Sequence, residues 1–346
     1  MQLLFLQYFN LINIISRLVK NMQTNDSKSK RTDIQLMRAI AIISVVIIHT
    51  YPVGTEFGIV VRCFVNYAVA LFLFLSGYLT KLTINNNQLF KRIKKIIIPY
   101  FVWSMIYGIT TGMTLMRIVV GFITGSCSFH LYYIIVYIQI VITTRISIFF
   151  ATSRYKHVMF LITPLSLIFV QYVLPLLGLS LPGAINGIDV FEWISYYCIG
   201  LYMGNKIIKI DSIIIPGIIT IIGFVFSMVE GFYWYNLDNY AMATTQCKLS
   251  SCIYSFGVLL AIGYILNNFN INDLFTSKLL SKIGDYSSGI YFSHVFIKII
   301  MTNIFEKNSF LMLFPINSLL VLTFSMIIIE ITRYFLPKKL YGLFGF

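Results

Sequence analysis

Apolar residues run along this chain in ten blocks, at about 37–53, 59–79, 96–115, 129–150, 158–177, 190–205, 212–231, 250–267, 288–305 and 312–335, parted by short polar or basic breaks. A helix crossing the hydrocarbon core of a bilayer needs about 20 mostly apolar residues. Most of the blocks approach that length. The pattern therefore predicts an all-α, polytopic membrane bundle of about ten transmembrane helices. No long hydrophilic run divides residues 30–346, which read as a single membrane domain, and no internal repeat is visible. Residues 1–29 stand apart. Their apolar stretch Leu3–Val19 is broken by Gln7, Asn10 and Asn13, and lacks the basic start and small-residue cleavage site of a signal peptide. Two readings stay open for it: an interfacial helix, or sequence upstream of a true start at Met22.

Composition agrees with the pattern. The chain is 58% hydrophobic and 11% charged, with a mean hydropathy of +0.84, whereas a soluble domain carries about 25% charged residues. The net charge of +14 raises nucleic acid as a partner. Its distribution excludes that, because the cations sit in short clusters between apolar blocks, as the positive-inside rule requires. If the residues before Arg38 are cytoplasmic, one side of the membrane collects Lys28, Lys30, Arg31 and Arg38, then the group Lys81 to Lys95, then Arg145, Arg154 and Lys156. Lys206, Lys209, Lys278, Lys282, Arg333, Lys338 and Lys339 follow on the same side. The outer side keeps Arg62, Arg117, Lys248 and Lys307. This asymmetry predicts an even number of helices and cytoplasmic termini, with the basic loops against an anionic bilayer surface. The five cysteines include no CxxC pair and are odd in number, so no metal site or disulfide framework is indicated. Cys247 and Cys252 are near enough to pair in an oxidising compartment, or are two free thiols.

Within the first block, RAIAIISVVIIH sets Arg38 and His49 eleven residues apart. On a straight helix that returns to within about 20° of the same direction, with a rise of roughly 16 Å. A histidine so deep in a membrane is a functional candidate by default, suited to general-base work on a hydroxyl. The competing role is hydrogen-bonding glue between helices. His130, in SCSFHLYYI, reads as an interfacial anchor among tyrosines. His294 shares a helix face with Tyr291 and Lys298, and Lys298 is expected to pair with Glu330 of the last block. His157 sits in a basic loop beside Lys156 and reads as idle. Ser76, Gly77 and Tyr78 close the second block, where small residues favour close helix packing. LFKRIKKIIIPYFVW, from Leu89 to Trp103, sets Arg92 and Lys95 one turn apart; they serve as positive-inside anchors or as a clamp for a phosphorylated molecule.

Taken together, RAIAIISVVIIH, LFLFLSGYL, KRIKKIIIPY, SFHLYYI and SSGIYFSH, in that order, resemble the acyltransferase-3 family of integral membrane acyltransferases over about residues 30–335. The resemblance implies transfer of an acyl group, usually acetyl, from cytoplasmic acyl-CoA to a sugar hydroxyl of a surface or lipid-linked glycan. It implies a multi-pass protein of the cytoplasmic (inner) membrane with acetyl-CoA as donor substrate, a glycan as acceptor and no tightly bound cofactor or metal. His49 corresponds to the family's essential first-helix histidine, and Arg38 to the arginine before it. Arg92 and Lys95 take the place of a paired-arginine motif that contacts CoA; the second position here is lysine, which keeps the charge without the planar fork. Gln35 stands where many relatives have an acidic residue. His130, Ser76, Tyr78, His294, Lys298 and Glu330 remain candidates for the acceptor side or for structure. Two other classes compete. One is a transporter of a glycan or lipid-linked sugar using a His49, Lys298 and Glu330 proton network; the other is a membrane scaffold in which the buried histidine has no activity.

Overall fold

The computed structural model describes residues 31–179, 187–269, 278–306 and 309–346. Residues 1–29, with Lys28, and also Lys30 and Lys307 of the charge pattern, lie outside them. The described residues are helical throughout, without strands. In order they form α1 (Thr32–Thr50), α2 (Glu56–Val65), α3 (Ala68–Tyr78), α4 (Asn86–Thr110), α5 (Leu115–Thr124), α6 (Tyr132–Ile142), α7 (Thr144–Ala151) and α8 (Val158–Ile168). The chain continues through α9 (Ile194–Gly204), α10 (Ile214–Asn236), α11 (Tyr240–Thr244), α12 (Leu249–Asn268), α13 (Lys278–Asp285), α14 (Ser287–Ile304) and α15 (Ile316–Phe335).

Local chemistry explains the boundaries. Thr55 caps α2 by accepting the Gly58 amide at 2.9 Å. Asn85 and Gln88 form a reciprocal capping box at the start of α4, side chain to backbone at 2.9 and 3.1 Å. α5 stops at Gly125, whose φ of 77° lies in the left-handed region open to glycine. The turn that follows carries His130 into α6.

Six stretches are long and apolar enough to cross a membrane: Thr32–Thr50, Glu56–Tyr78, Val158–Leu176, Ile214–Asn236, Tyr240–Asn268 and Ile316–Phe335. Counting the pair α6 and α7, bent by 51°, as one span makes seven. This is fewer than the ten apolar blocks. Some of those blocks fold into short helices, such as α9 with 11 residues. Others form long helices diluted by polar groups: α4 carries Arg92, Lys94 and Lys95, and α14 carries His294 and Lys298. α10 turns Ile218, Ile221, Ile222, Val225 and Val229 outward, an apolar row of the kind that lipid covers.

Two packed cores meet along α1. One gathers α3, α8, α9 and α12 and takes Ile34, Met37 and Ala41 from α1. The other gathers α4, α14 and α15 and takes Ala39, Ile42, Val45, Val46 and Ile48. α3 and α9 meet backbone to backbone: a Cβ on Gly77 would lie 2.0 Å from the Tyr197 carbonyl oxygen, and one on Gly200 2.0 Å from that of Phe74. Glycine is the residue that permits such an approach. Phe72 and Tyr133 pack against both cores and so mark the seam between them.

The ends of the bundle differ. At one, Arg31 lies over the Tyr78 ring at 5.5 Å, Arg92 reaches Thr80 and Lys282 pairs with Glu330. At the other, the last turn of α1 meets Lys298 of α14 and Asn317 and Ser318 of α15.

Candidate functional site

At this second end, on the seam between the cores, lies a cavity of about 130 Å³ lined by Val45, Ile48, His49, Arg62, Val69, Phe72, His130, Tyr132, Tyr133, Gln246 and Tyr291. Three histidines far apart in sequence converge beside it. The His49 ring is 5.2 Å from that of His294 and 6.1 Å from that of His130, and His130 and His294 are 5.1 Å apart, centroid to centroid. Phe129 covers His49 from outside at 4.9 Å. Among the described residues, no three His, Cys, Asp or Glu side chains are grouped to hold a metal ion.

Hydrogen bonds define the state of one imidazole. His294 Nδ1 lies 2.9 Å from the Ile290 carbonyl and 2.8 Å from that of Tyr291. Carbonyl oxygens only accept, so Nδ1 carries a proton, and Nε2 is the nitrogen left bare when the ring is neutral. That Nε2 is buried without a partner, as is His130 Nε2. His130 is held by Ser128 Oγ at 3.0 Å on Nδ1 and by the Tyr291 hydroxyl, which donates to its carbonyl at 2.6 Å. Tyr107 donates to the Phe292 carbonyl at 2.8 Å and accepts the Phe296 amide at 3.0 Å, bracing α14 behind the cluster.

The backbone of His49 is braced as well. α1 ends at Thr50, so the His49 carbonyl is among the last, unpaired ones of the helix. Lys298 donates to it at 2.5 Å. Asn317 donates to the Thr50 carbonyl at 2.8 Å, and Thr50 and Ser318 share a hydroxyl contact at 2.6 Å. A cation and an amide at the negative end of the helix fix where the His49 side chain starts.

An acyltransferase-domain family model, acyltransferase-3, matches residues 31–331, nearly the whole chain. The chain belongs to the acyltransferase-3 family. Comparisons with curated proteins and with solved structures find no match. Membership establishes a membrane acyltransferase class and leaves the donor, the acceptor and the part played by each histidine to chemical argument.

The cationic residues Arg38, Arg92 and Lys95 fall towards the first end. Arg38 is half-buried on α1, within electrostatic reach of Asp285, Tyr133 and Tyr137. Tyr133 also lines the cavity that holds His49. Arg92 Nη1 donates to Thr80 Oγ1 at 2.7 Å. Lys95 is exposed.

Other expected residues separate from the cavity. The Lys298–Glu330 pair does not form: Lys298 is committed to α1, while Glu330 takes Lys282 at 2.5 Å and the Tyr286 hydroxyl. The reason is depth, since Glu330 lies near the last turns of α15, level with α13. Burial and that carboxylate raise the Tyr286 phenol above its ordinary pKa and keep it a donor. The proposed His49, Lys298 and Glu330 relay is thereby split between the two ends. Tyr78 donates to Asn267 Oδ1 at 2.7 Å, and the Ser76 carbonyl accepts from Thr80; neither side chain lines the cavity. His157 is exposed in its loop. All five cysteines are free.

Two residues of the cavity wall had no signal in sequence. Arg62 reads there as one of a few outer-loop cations, yet it is 9% exposed. Gln246, from a loop nearly 200 residues after His49, donates to the Tyr132 hydroxyl, and its Oε1 is buried without a partner. Deep burial of a cation is costly. Only the fold shows that the burial occurs.

Proposed function

We propose that the protein moves an acyl group, acetyl in the simplest case, from cytoplasmic acyl-CoA to a hydroxyl of a surface or lipid-linked glycan, from a place in the cytoplasmic (inner) membrane. The observation that carries this reading is α1 itself. In a chain of this family, one helix holds Arg38 towards the basic end and His49 in the cavity at the other, with Tyr133 in the cavity wall and within electrostatic reach of Arg38. On this reading the basic end, and both termini, face the cytoplasm. The count of about ten spans then needs α4, α9 and α14 to lie at membrane depth with their polar residues turned inward, which is where membrane proteins keep them.

Coenzyme A is a polyanion and stays on the side of Arg38, Arg92 and Lys95. Its pantetheine arm brings the thioester along the seam to the cavity. The acceptor hydroxyl comes from the opposite side, past Phe129. His49 takes the hydroxyl proton as the oxygen attacks the carbonyl carbon. The tetrahedral intermediate then collapses, the C–S bond breaks, and the CoA thiolate leaves and takes up a proton from the imidazolium. His294, with a bare Nε2 beside His49, offers a second basic site for that proton. The small cavity suits an acetyl group and one hydroxyl.

The test is direct. Membranes containing the protein are supplied with labelled acetyl-CoA, and surface glycans of cells with and without the protein are compared by mass spectrometry. Label and acetyl mass on the glycan support the reading. Glycan carried into vesicles without any label would replace it with transport.

A further inference from the structure

Resting on the acyl-transfer reading, we propose that Arg62 is the group that binds the thioester carbonyl and stabilises the oxyanion formed from it. Arg62 sits in the last turns of α2 and lines the cavity that holds His49. Its guanidinium is held on one side by the Tyr51 ring, at 5.7 Å, two residues beyond His49. Nη1 is buried and has no hydrogen-bond partner. Among the described residues no carboxylate forms an ion pair with it.

A buried donor with no partner is expensive to keep. A buried cation whose charge nothing neutralises is more so. The Tyr51 side chain supports the planar ion by a cation–π contact and a hydrogen bond but leaves Nη1 free. Nη1 meets the requirement for a transition-state donor: fixed in advance, screened from water, and on a side chain that lines the cavity where negative charge would develop. In the transfer step, the hydroxyl oxygen adds to the carbonyl carbon and the C=O pair moves onto oxygen. Arg62 Nη1 donates to that oxygen. When the C–S bond breaks, the pair returns and the donor is free again. The size of the cavity, about 130 Å³, favours an acyl carbonyl over the acidic group of a whole sugar as its partner.

The experiment uses detergent-solubilised membranes that retain their native glycan, with labelled acetyl-CoA as donor and transfer of label as the readout. Arg62→Met should lower kcat by about 10²–10³ while KM for acetyl-CoA stays within about threefold. Arg62→Lys should recover part of the loss. Arg62→Ala should be partly rescued by millimolar guanidinium ion, which a purely structural arginine would not show and a misfolded variant could not. An Arg62→Met protein that keeps more than a tenth of the wild-type kcat overturns the proposal. So does full activity of the variant once added glycan is saturating, which would make Arg62 an acceptor-binding residue. Absence of label transfer by the wild type removes the acyl-transfer reading itself, a result distinct from either.

Discussion

At the basic end of the bundle, most polar side chains find partners, Arg92 with Thr80, Lys282 with Glu330, Tyr78 with Asn267 and Arg31 with Asp33, while Gln35 Oε1 and Arg333 Nε are buried without one. At the histidine end, His130 Nε2, His294 Nε2, Arg62 Nη1 and Gln246 Oε1 are all buried without one. The backbone there is nevertheless tightly braced, by Lys298, Asn317, Tyr107 and Tyr291. Held main chain combined with unsatisfied side chains is what a site prepared for a polar reactant needs. The basic end instead resembles a surface, with Lys95 exposed and Arg92 half-buried. On the proposed acyl-transfer reading, the contrast separates chemistry from capture.

The sharpest way to break it is at His49. His49→Ala should abolish transfer, a loss of about 10²–10⁴ or more, while the protein remains inserted at wild-type level; transfer persisting in that variant would end the catalytic assignment. His294→Ala should cost about 10- to 100-fold in kcat, within the range of one acid–base group, with acetyl-CoA binding retained. A fall in binding without a fall in kcat would move His294 to the capture half. Arg92→Ala should act in the opposite sense. Losing one charge-assisted contact, worth about 1.5–3 kcal/mol, should raise KM for acetyl-CoA about 10- to 100-fold with kcat little changed, Arg92→Lys being milder. The KM effect should shrink as salt rises, because exposed charges are screened. Lys298→Met removes the cation on the last turn of α1 and should lower stability by about 1 kcal/mol, read as a lower unfolding midpoint in detergent. Tyr78→Phe should leave transfer within about twofold of wild type, because its hydroxyl is used between α3 and α12; a large loss would return Tyr78 to the site.

Much of this architecture is readable without coordinates. The apolar blocks predict an all-helical membrane chain, and the motif order around Arg38, His49 and Arg92 predicts the family, because lipid demands long apolar stretches and the motifs are local. The spacing of eleven between Arg38 and His49 places both on one face of α1 from helix geometry alone. Pairings across the bundle were beyond it. Counted from the end next to α13, Lys298 stands eleven residues into α14 and Glu330 five into α15, and only the packing of α1 against α14 shows that Lys298 takes the His49 carbonyl instead.

Sequence by itself determined the helical class, the family, the candidate base and the separation of basic from apolar loops, since each depends on composition or on residues close along the chain. Tertiary structure alone decided which groups share the cavity. His49, Arg62, His130, Gln246 and Tyr291 come from five separate stretches, and no period or motif relates them. It also decided that Arg62 is buried, since burial is a property of neighbours supplied by other helices, and an arginine at the end of an apolar block looks the same in sequence whether lipid headgroups or a closed cavity receive it.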